Sequence, residues 1–193
     1  AMMVMLYAGL RREEMLALNP STDIDFDRGE IIVNKALIFE GNRPVIKAPK
    51  SDASIRRVPL LPPLDQEAKK WKNLTLLIST QDGQPMTSSS FRAALDTYTR
   101  RMEQALNGGV QYRWRSKLGE DYMWKEWTVR CHDLRHSFCS MLYDAGVDVK
   151  TAQRWMGHAS LEVTLKIYTH LSQGKEDASR SRARKHFSKT CSK

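Results

Sequence analysis

The octet CHDLRHSF, from Cys131 to Phe138, crowds His132, Arg135 and His136 onto little more than one helical turn, with Asp133 among them. Residues three or four apart share a helix face, so two imidazoles and a guanidinium project together. Against a core, that trio would bury charge at a cost of several kcal/mol unless it is paired. Against an anion it becomes useful. A guanidinium grips a phosphate through two parallel N–H bonds, and an imidazole takes or gives a proton near neutrality. A solvated basic helix face would also account for the octet taken alone.

Two nearby stretches extend the pattern. In MGH, His158 follows the helix-stopping Gly157, where a side chain can point into a cleft. In KIYTH, Tyr168 sits on the next short helix. Such a tyrosine serves either as a core ring with its hydroxyl satisfied or, beside cations, as a nucleophile. Its reference pKa of about 10 means that attack at neutral pH needs a base or positive charge nearby. Cys131, His132, His136 and Cys139 do not converge on a tetrahedron when placed along one helix, so no zinc site is read there. Asp133 reads as an exposed carboxylate at a helix start, or as a structural partner for nearby cations.

The elements that must position these groups follow from periodicity and punctuation. Residues 2–18 read as helix, a turn at AGL, and a second helix with Leu10, Met15 and Leu18 inward. NPSTDIDFDRG is turn chemistry. EIIVNKALIF, RPVIKAP and SIRRVPL read as three strands of one small antiparallel sheet. PLDQEAKKWKNL and SSSFRAALDTYTRRMEQALNGG read as helices, with an apolar run LTLLIS between them. Three short helices then carry HDLRHSFCSMLYDAG, DVKTAQRWMG and SLEVTLKIYTHL. The expected fold class is mainly α with a small antiparallel β-sheet (α+β).

The chain has 193 residues and a formal net charge of +9, with 41% hydrophobic and 27% charged residues. That length suits one domain with a sizeable core, and the charge fits a nucleic-acid footprint as well as it fits simple solubility. No apolar run approaches the roughly 18 residues of a membrane span. The start AMMVMLYAGL reads as a core helix cut from a longer chain. Three scattered cysteines, Cys131, Cys139 and Cys191, suit a reducing compartment, so a cytoplasmic location is expected.

Taken in order, GLRREE, KAPKSDASIRRVPL, HDLRHSF, WMGH and YTHL resemble the catalytic domain of the tyrosine recombinases, the phage-integrase family, from Gly9 to about Leu171. The resemblance implies roles residue by residue. Arg11 and Arg135 clamp the scissile phosphate and stabilise its pentacoordinate transition state. His132 relays the nucleophile's proton, His158 hydrogen-bonds the phosphate, and Tyr168 is the nucleophile. Lys50, in the hairpin between the second and third strands, protonates the leaving 5′ oxygen, with Lys47 as the alternative. Glu14, three residues after Arg11, either orients that guanidinium or forms a surface pair with it. The implied reaction is transesterification of DNA through a 3′-phosphotyrosyl intermediate. It needs no cofactor, metal or ATP, in keeping with a sequence that has no Gly-rich P-loop and no acidic cluster for Mg²⁺.

The same resemblance sets the expected organisation. Residues 1–174 form the catalytic domain, residues 108–130 an inserted basic and aromatic arm, and residues 175–193 a basic C-terminal tail. An amino-terminal core-binding domain is absent from this chain. In the arm, Arg113, Arg115, Lys117 and Lys125 are candidate DNA-backbone contacts, while Trp114, Trp124 and Trp127 pin the arm to the core. Expected partners are double-stranded DNA carrying attachment sites, further copies of the chain on DNA though a monomer alone, and accessory bending or excision factors. No membrane partner is expected. A phage or other mobile-element integrase is the first reading. A type IB topoisomerase, or an inactive DNA-binding module on the same fold, are the alternatives.

Overall fold

The computed structural model describes residues 2–48, 55–106, 130–173 and 180. Helix α1 (Met2–Ala8) turns Val4, Met5 and Ala8 inward, and α2 (Arg12–Ala17) buries Met15 and Leu16. Gly9 breaks the helix between them with φ +61, and a Cβ there would collide with the ring of Phe138 at Cδ1. Phe138 belongs to α6 (Cys131–Asp144), whose Arg135, Phe138, Cys139 and Leu142 form one buried stripe. Glycine is therefore required twice over at position 9, by its left-handed backbone and by the close approach of a ring. Gly9→Ala is expected to destabilise the fold by about 2–5 kcal/mol, the sum of left-handed strain and overpacking. Urea titration measures this, and a loss too small to detect would show that Phe138 swings aside freely.

The strands differ from the single sheet expected. The segment EIIVNKALIF splits into β2 (Glu30–Val33) and β3 (Ala36–Glu40), which belong to separate antiparallel sheets. One sheet has the order β1 (Ile24–Asp25), β2, β5 (Arg56–Pro59), with Ile31 opposite both Ile24 and Val58. The other is a hairpin of β3 with β4 (Arg43–Lys47), with Leu37 opposite Ile46. Ile31, Val33 and Leu37 are all buried, so the two-residue alternation runs through the break without changing phase. Periodicity alone therefore carried no sign of it. Lys35 marks the break, its Nζ 2.8 Å from Oδ1 of the buried Asp23.

NPSTDIDFDRG is more ordered than a turn. Asn19 accepts the Ser21 N–H at 3.1 Å and Pro20 occupies the first turn of the short α3 (Pro20–Asp23), after which β1 begins. Helix α4 (Pro62–Lys69) ends earlier than its sequence suggested. Lys70 and Trp71 bond back three residues, to the carbonyls of Glu67 and Ala68, and Trp71 packs on the core. The remaining helices are α5 (Ser88–Leu106), α7 (Val149–Met156) and α8 (Leu161–Gln173). α1 lies on α6, α7 lies on β5, and α6, α7 and α8 pack together. No helix among the described residues is long and apolar enough to cross a membrane.

Candidate active site

Arg11 is the extended residue that starts α2, with φ −67 and ψ 157. Its backbone N–H donates to Glu14 Oε2 at 2.7 Å, a bond that satisfies one helix-start amide. Its side chain then folds onto the same carboxylate, Nη1 to Oε1 at 2.8 Å, while Nη2 donates to the carbonyl of Gly157. Glu14 is only 8% exposed, so it is not a surface partner. It also receives both Nη atoms of Arg56, each at 2.8 Å. Burial by itself would raise its pKa. The hydrogen bonds and charge of Arg56, with help from Arg11, outweigh burial and hold it at about 2.

Arg135 occupies the buried stripe of α6, where periodicity predicts an apolar side chain. It is 3% exposed and its two Nη atoms donate to the carbonyls of Gly9 and Met156. These bonds tie the α1–α2 turn to the end of α7. Burial and then the charge of Arg11 lower its pKa to about 9, which still leaves it cationic at neutral pH.

His158 is placed by the end of α7. Gly157 is left-handed at φ +61, its N–H bonds to the Arg154 carbonyl, and the His158 N–H bonds to that of Gln153, which together make a Schellman stop. The imidazole Nδ1 meets Oγ1 of the fully buried Thr164 on α8 at 2.8 Å, fixing the ring. Burial, followed by the charges of Arg135 and Arg11, lowers its pKa to about 4. The histidine is therefore neutral at physiological pH, poised to hydrogen-bond an anion.

The unfolded chain binds the His158 proton from about pH 6.5 downward, the folded chain only near 4. Stability present above 6.5 should thus decline as pH falls toward 4, before the lower window, from 4.5 to about 2, in which Glu14 is protonated. His136, lowered by burial and by His132, adds to the decline in the same direction. Urea titrations of His158→Gln should show a flatter decline between pH 6.5 and 4 than the parent chain. An unchanged slope would assign the effect to another group.

His132 and His136 meet edge to face, centroids 4.4 Å apart, on the exposed side of α6. His132, Arg11 and Arg135 line a groove of about 610 Å³ between α2, α5 and α6. Arg12, Arg92 and Arg130 line it as well, and although Glu13 and Asp96 share the lining and Glu13 pairs with Arg12 at 2.6 Å, the cations outnumber the carboxylates. Asp133 is a helix-start carboxylate, accepting the Arg130 N–H at 3.1 Å and pairing with its side chain at 3.3 Å.

Tyr168 stands apart from this groove. On α8 it is 7% exposed, its ring meets Tyr143 edge to face at 5.1 Å, and its hydroxyl donates to the Val147 carbonyl at 3.1 Å. Burial first, and then Cys139 and Asp148, push its pKa up to about 12. Lys47 is exposed on β4 and bonded to Glu40 at 2.7 Å. Lys50, Arg113, Arg115, Lys117, Lys125, the arm and the tail lie outside the described residues, apart from Arg130 at the arm's end and Arg180.

Two residues beside the site escaped the sequence reading. Arg56 shares the inward face of β5 with Val58, so a charge at an inward strand position was the available signal. Thr164 lies four residues before Tyr168 on the same face of α8, and nothing in its sequence context marks it.

The chain is similar in sequence and fold to known recombinases and integrases. A tyrosine recombinase XerC-like protein of Caldanaerobacter subterraneus subsp. tengcongensis is 29% identical over 190 residues, 84% of this chain and 43% of that protein. The ICEBs1 integrase of Bacillus subtilis is 30% identical over 176 residues, 90% of this chain and 45% of that one. The chain thus spans just under half the length of these relatives. The structure of the Tn1549 transposon integrase in complex with circular intermediate DNA superposes with a TM-score of 0.70 at 26% identity, covering 94% of this chain and 58% of that one. The XerH site-specific recombinase bound to difH gives 0.52 at 28%, covering 90% and 43%. The profile of the phage integrase family matches residues 1–175, and the chain belongs to that family.

Proposed function

We propose that this chain is the catalytic part of a site-specific DNA recombinase that cuts and rejoins strands by transesterification. The observation that carries the reading is the convergence of Arg11, Arg135 and His158 on the turn at Gly157, with His132 opening onto the same cationic groove. Two guanidiniums and a neutral imidazole held by backbone carbonyls and a buried threonine are preorganised donors for a phosphodiester. Arg11 and Arg135 neutralise the developing charge, His158 donates to a non-bridging oxygen, and His132 takes the proton of the attacking hydroxyl.

Tyr168 is the nucleophile in this proposal. Its oxygen attacks phosphorus, a P–O bond forms to the tyrosine, and the bond to the 5′ oxygen breaks. Lys50 supplies the proton to that leaving oxygen. A 5′ hydroxyl of another strand later reverses the step, so the ester conserves the bond energy and no nucleotide cofactor is consumed. Attack requires the hydroxyl to leave the Val147 carbonyl, and α8 is the element that must shift or rotate. Residues 1–174 act as the catalytic unit, with the arm cations and the tail serving DNA and neighbouring copies. The substrate is duplex DNA carrying attachment sites in the cytoplasm.

Covalent capture tests this. The protein is incubated at low salt with a pool of nicked, end-labelled duplexes, denatured in SDS, and the adduct is located by peptide mapping. Label on the peptide holding Tyr168 is the expected result. DNA binding without an adduct, persisting when the assay is repeated in a longer form of the protein, would overturn the reading.

A further inference from the structure

Arg56 has no role in the chemistry above, yet it joins the parts that perform it. Its side chain is 2% exposed. The guanidinium makes three directed bonds of 2.8 Å: Nη1 and Nη2 to the two oxygens of Glu14, and Nε to the carbonyl of Trp155. The carboxylate is the one that holds Arg11, and Trp155 lies in the last turn of α7, just ahead of Gly157 and His158. Arg56 also packs flat on that turn. A Cβ at Gly157 would lie 3.0 Å from its Cζ, Nε and Nη1.

We infer that Arg56 is a positioning residue, setting Arg11 through Glu14 and His158 through the end of α7. The inference rests on the proposed strand-cleavage chemistry for its consequence and on these contacts for its cause. With a side chain 41% exposed, Arg11 is partly screened by solvent, so its own pair with Glu14 is a weak constraint beside the bond to the Gly157 carbonyl. The fork of Arg56 fixes the carboxylate plane first, so that Arg11 docks on an oxygen already immobilised. Stability is a poor explanation for such a pair, because buried ion pairs are often replaced by apolar residues with no loss. Lysine could not replace it, since one ammonium cannot span both carboxylate oxygens and the Trp155 carbonyl.

The test uses the whole chain, with Arg56→Lys, Arg56→Met and the paired Arg56→Met/Glu14→Gln. Single-turnover cleavage of a nicked duplex, DNA affinity, thermal melting and the ¹⁵N signal of the Arg11 Nε–H are recorded for each. Arg56→Lys should bind DNA like the parent and cleave about 10²-fold more slowly, as expected for a displaced catalytic group. Arg56→Met should gain an acid limb in its pH–rate profile, because Glu14 without its fork protonates at higher pH and releases Arg11. The paired variant removes both charges, so its folding should recover while its cleavage stays slow and the limb disappears. Recovered folding together with parental cleavage would reduce Arg56 to a structural residue and overturn the inference. If the paired variant does not fold, Arg56→Lys, assayed below its own midpoint, decides by the same comparison. Failure of the parent chain to form any adduct would instead indict the recombinase reading. The Arg11 signal then decides alone: a shifted or averaged signal in Arg56→Lys supports the positioning role, and an unmoved one removes it.

Discussion

Tyr168→Phe is expected to abolish covalent capture of DNA while leaving DNA affinity unchanged. The loss should be on the order of 10⁴-fold or more, the scale seen when an enzyme loses its nucleophile. The substitution removes one oxygen, and that oxygen touches nothing in the groove. Its contact is the Val147 carbonyl at 3.1 Å, so the fold should weaken by only about 1 kcal/mol. The raised pKa, about 12, adds a kinetic expectation. In its buried position the hydroxyl is further from ionisation than a free tyrosine, so it attacks only after moving to the cations of the groove. SDS gels of adduct and fluorescence anisotropy of binding, run on the same preparations, separate the two effects. An adduct that survives in Tyr168→Phe would place the nucleophile elsewhere.

The two arginines should fail in different ways. Arg11→Ala and Arg135→Ala each remove a donor to the transition state, and each should slow cleavage by about 10²–10³-fold. Their effects on folding should diverge. Arg11 is 41% exposed on its side chain and Glu14 keeps Arg56 when Arg11 is gone, so stability should hold to within about 1 kcal/mol. Arg135 is 3% exposed and donates to the carbonyls of Gly9 and Met156. Its loss leaves both without donors and should destabilise the fold by about 2–6 kcal/mol, at roughly 1–3 kcal/mol per buried group. Urea titration and single-turnover cleavage on both variants make the comparison. Cleavage near the parental rate would remove that arginine from the site, and a fully stable Arg135→Ala would contradict its ties to Gly9 and Met156.

The contrast shows why residue types alone could not rank the site. His132, Arg135 and His136 were legible as a cluster because spacing on a helix is local geometry, and α6 does begin at Cys131. That Arg135 lies inside the apolar stripe while both histidines stay exposed depends on what packs against α6. Glu14 left two readings open for the same reason. Only β5, arriving from forty-two residues away with Arg56, makes its site a buried one. The split of the strands was hidden because alternation continues through Asn34 and Lys35 without a change of phase.

By itself the sequence determined the mainly helical class, the glycine stops at Gly9 and Gly157, and the order of motifs that marks the family, because helix period, left-handed caps and motif spacing are all properties of neighbouring residues. The tertiary structure decided the rest. It turned Arg11 and Arg135 onto carbonyls of one turn, neutralised His158 by burial beside cations, and placed the Tyr168 hydroxyl on Val147 instead of in the groove. Those outcomes depend on which distant surfaces exclude water from a charge, and burial of that kind exists only once the helices and sheets have packed.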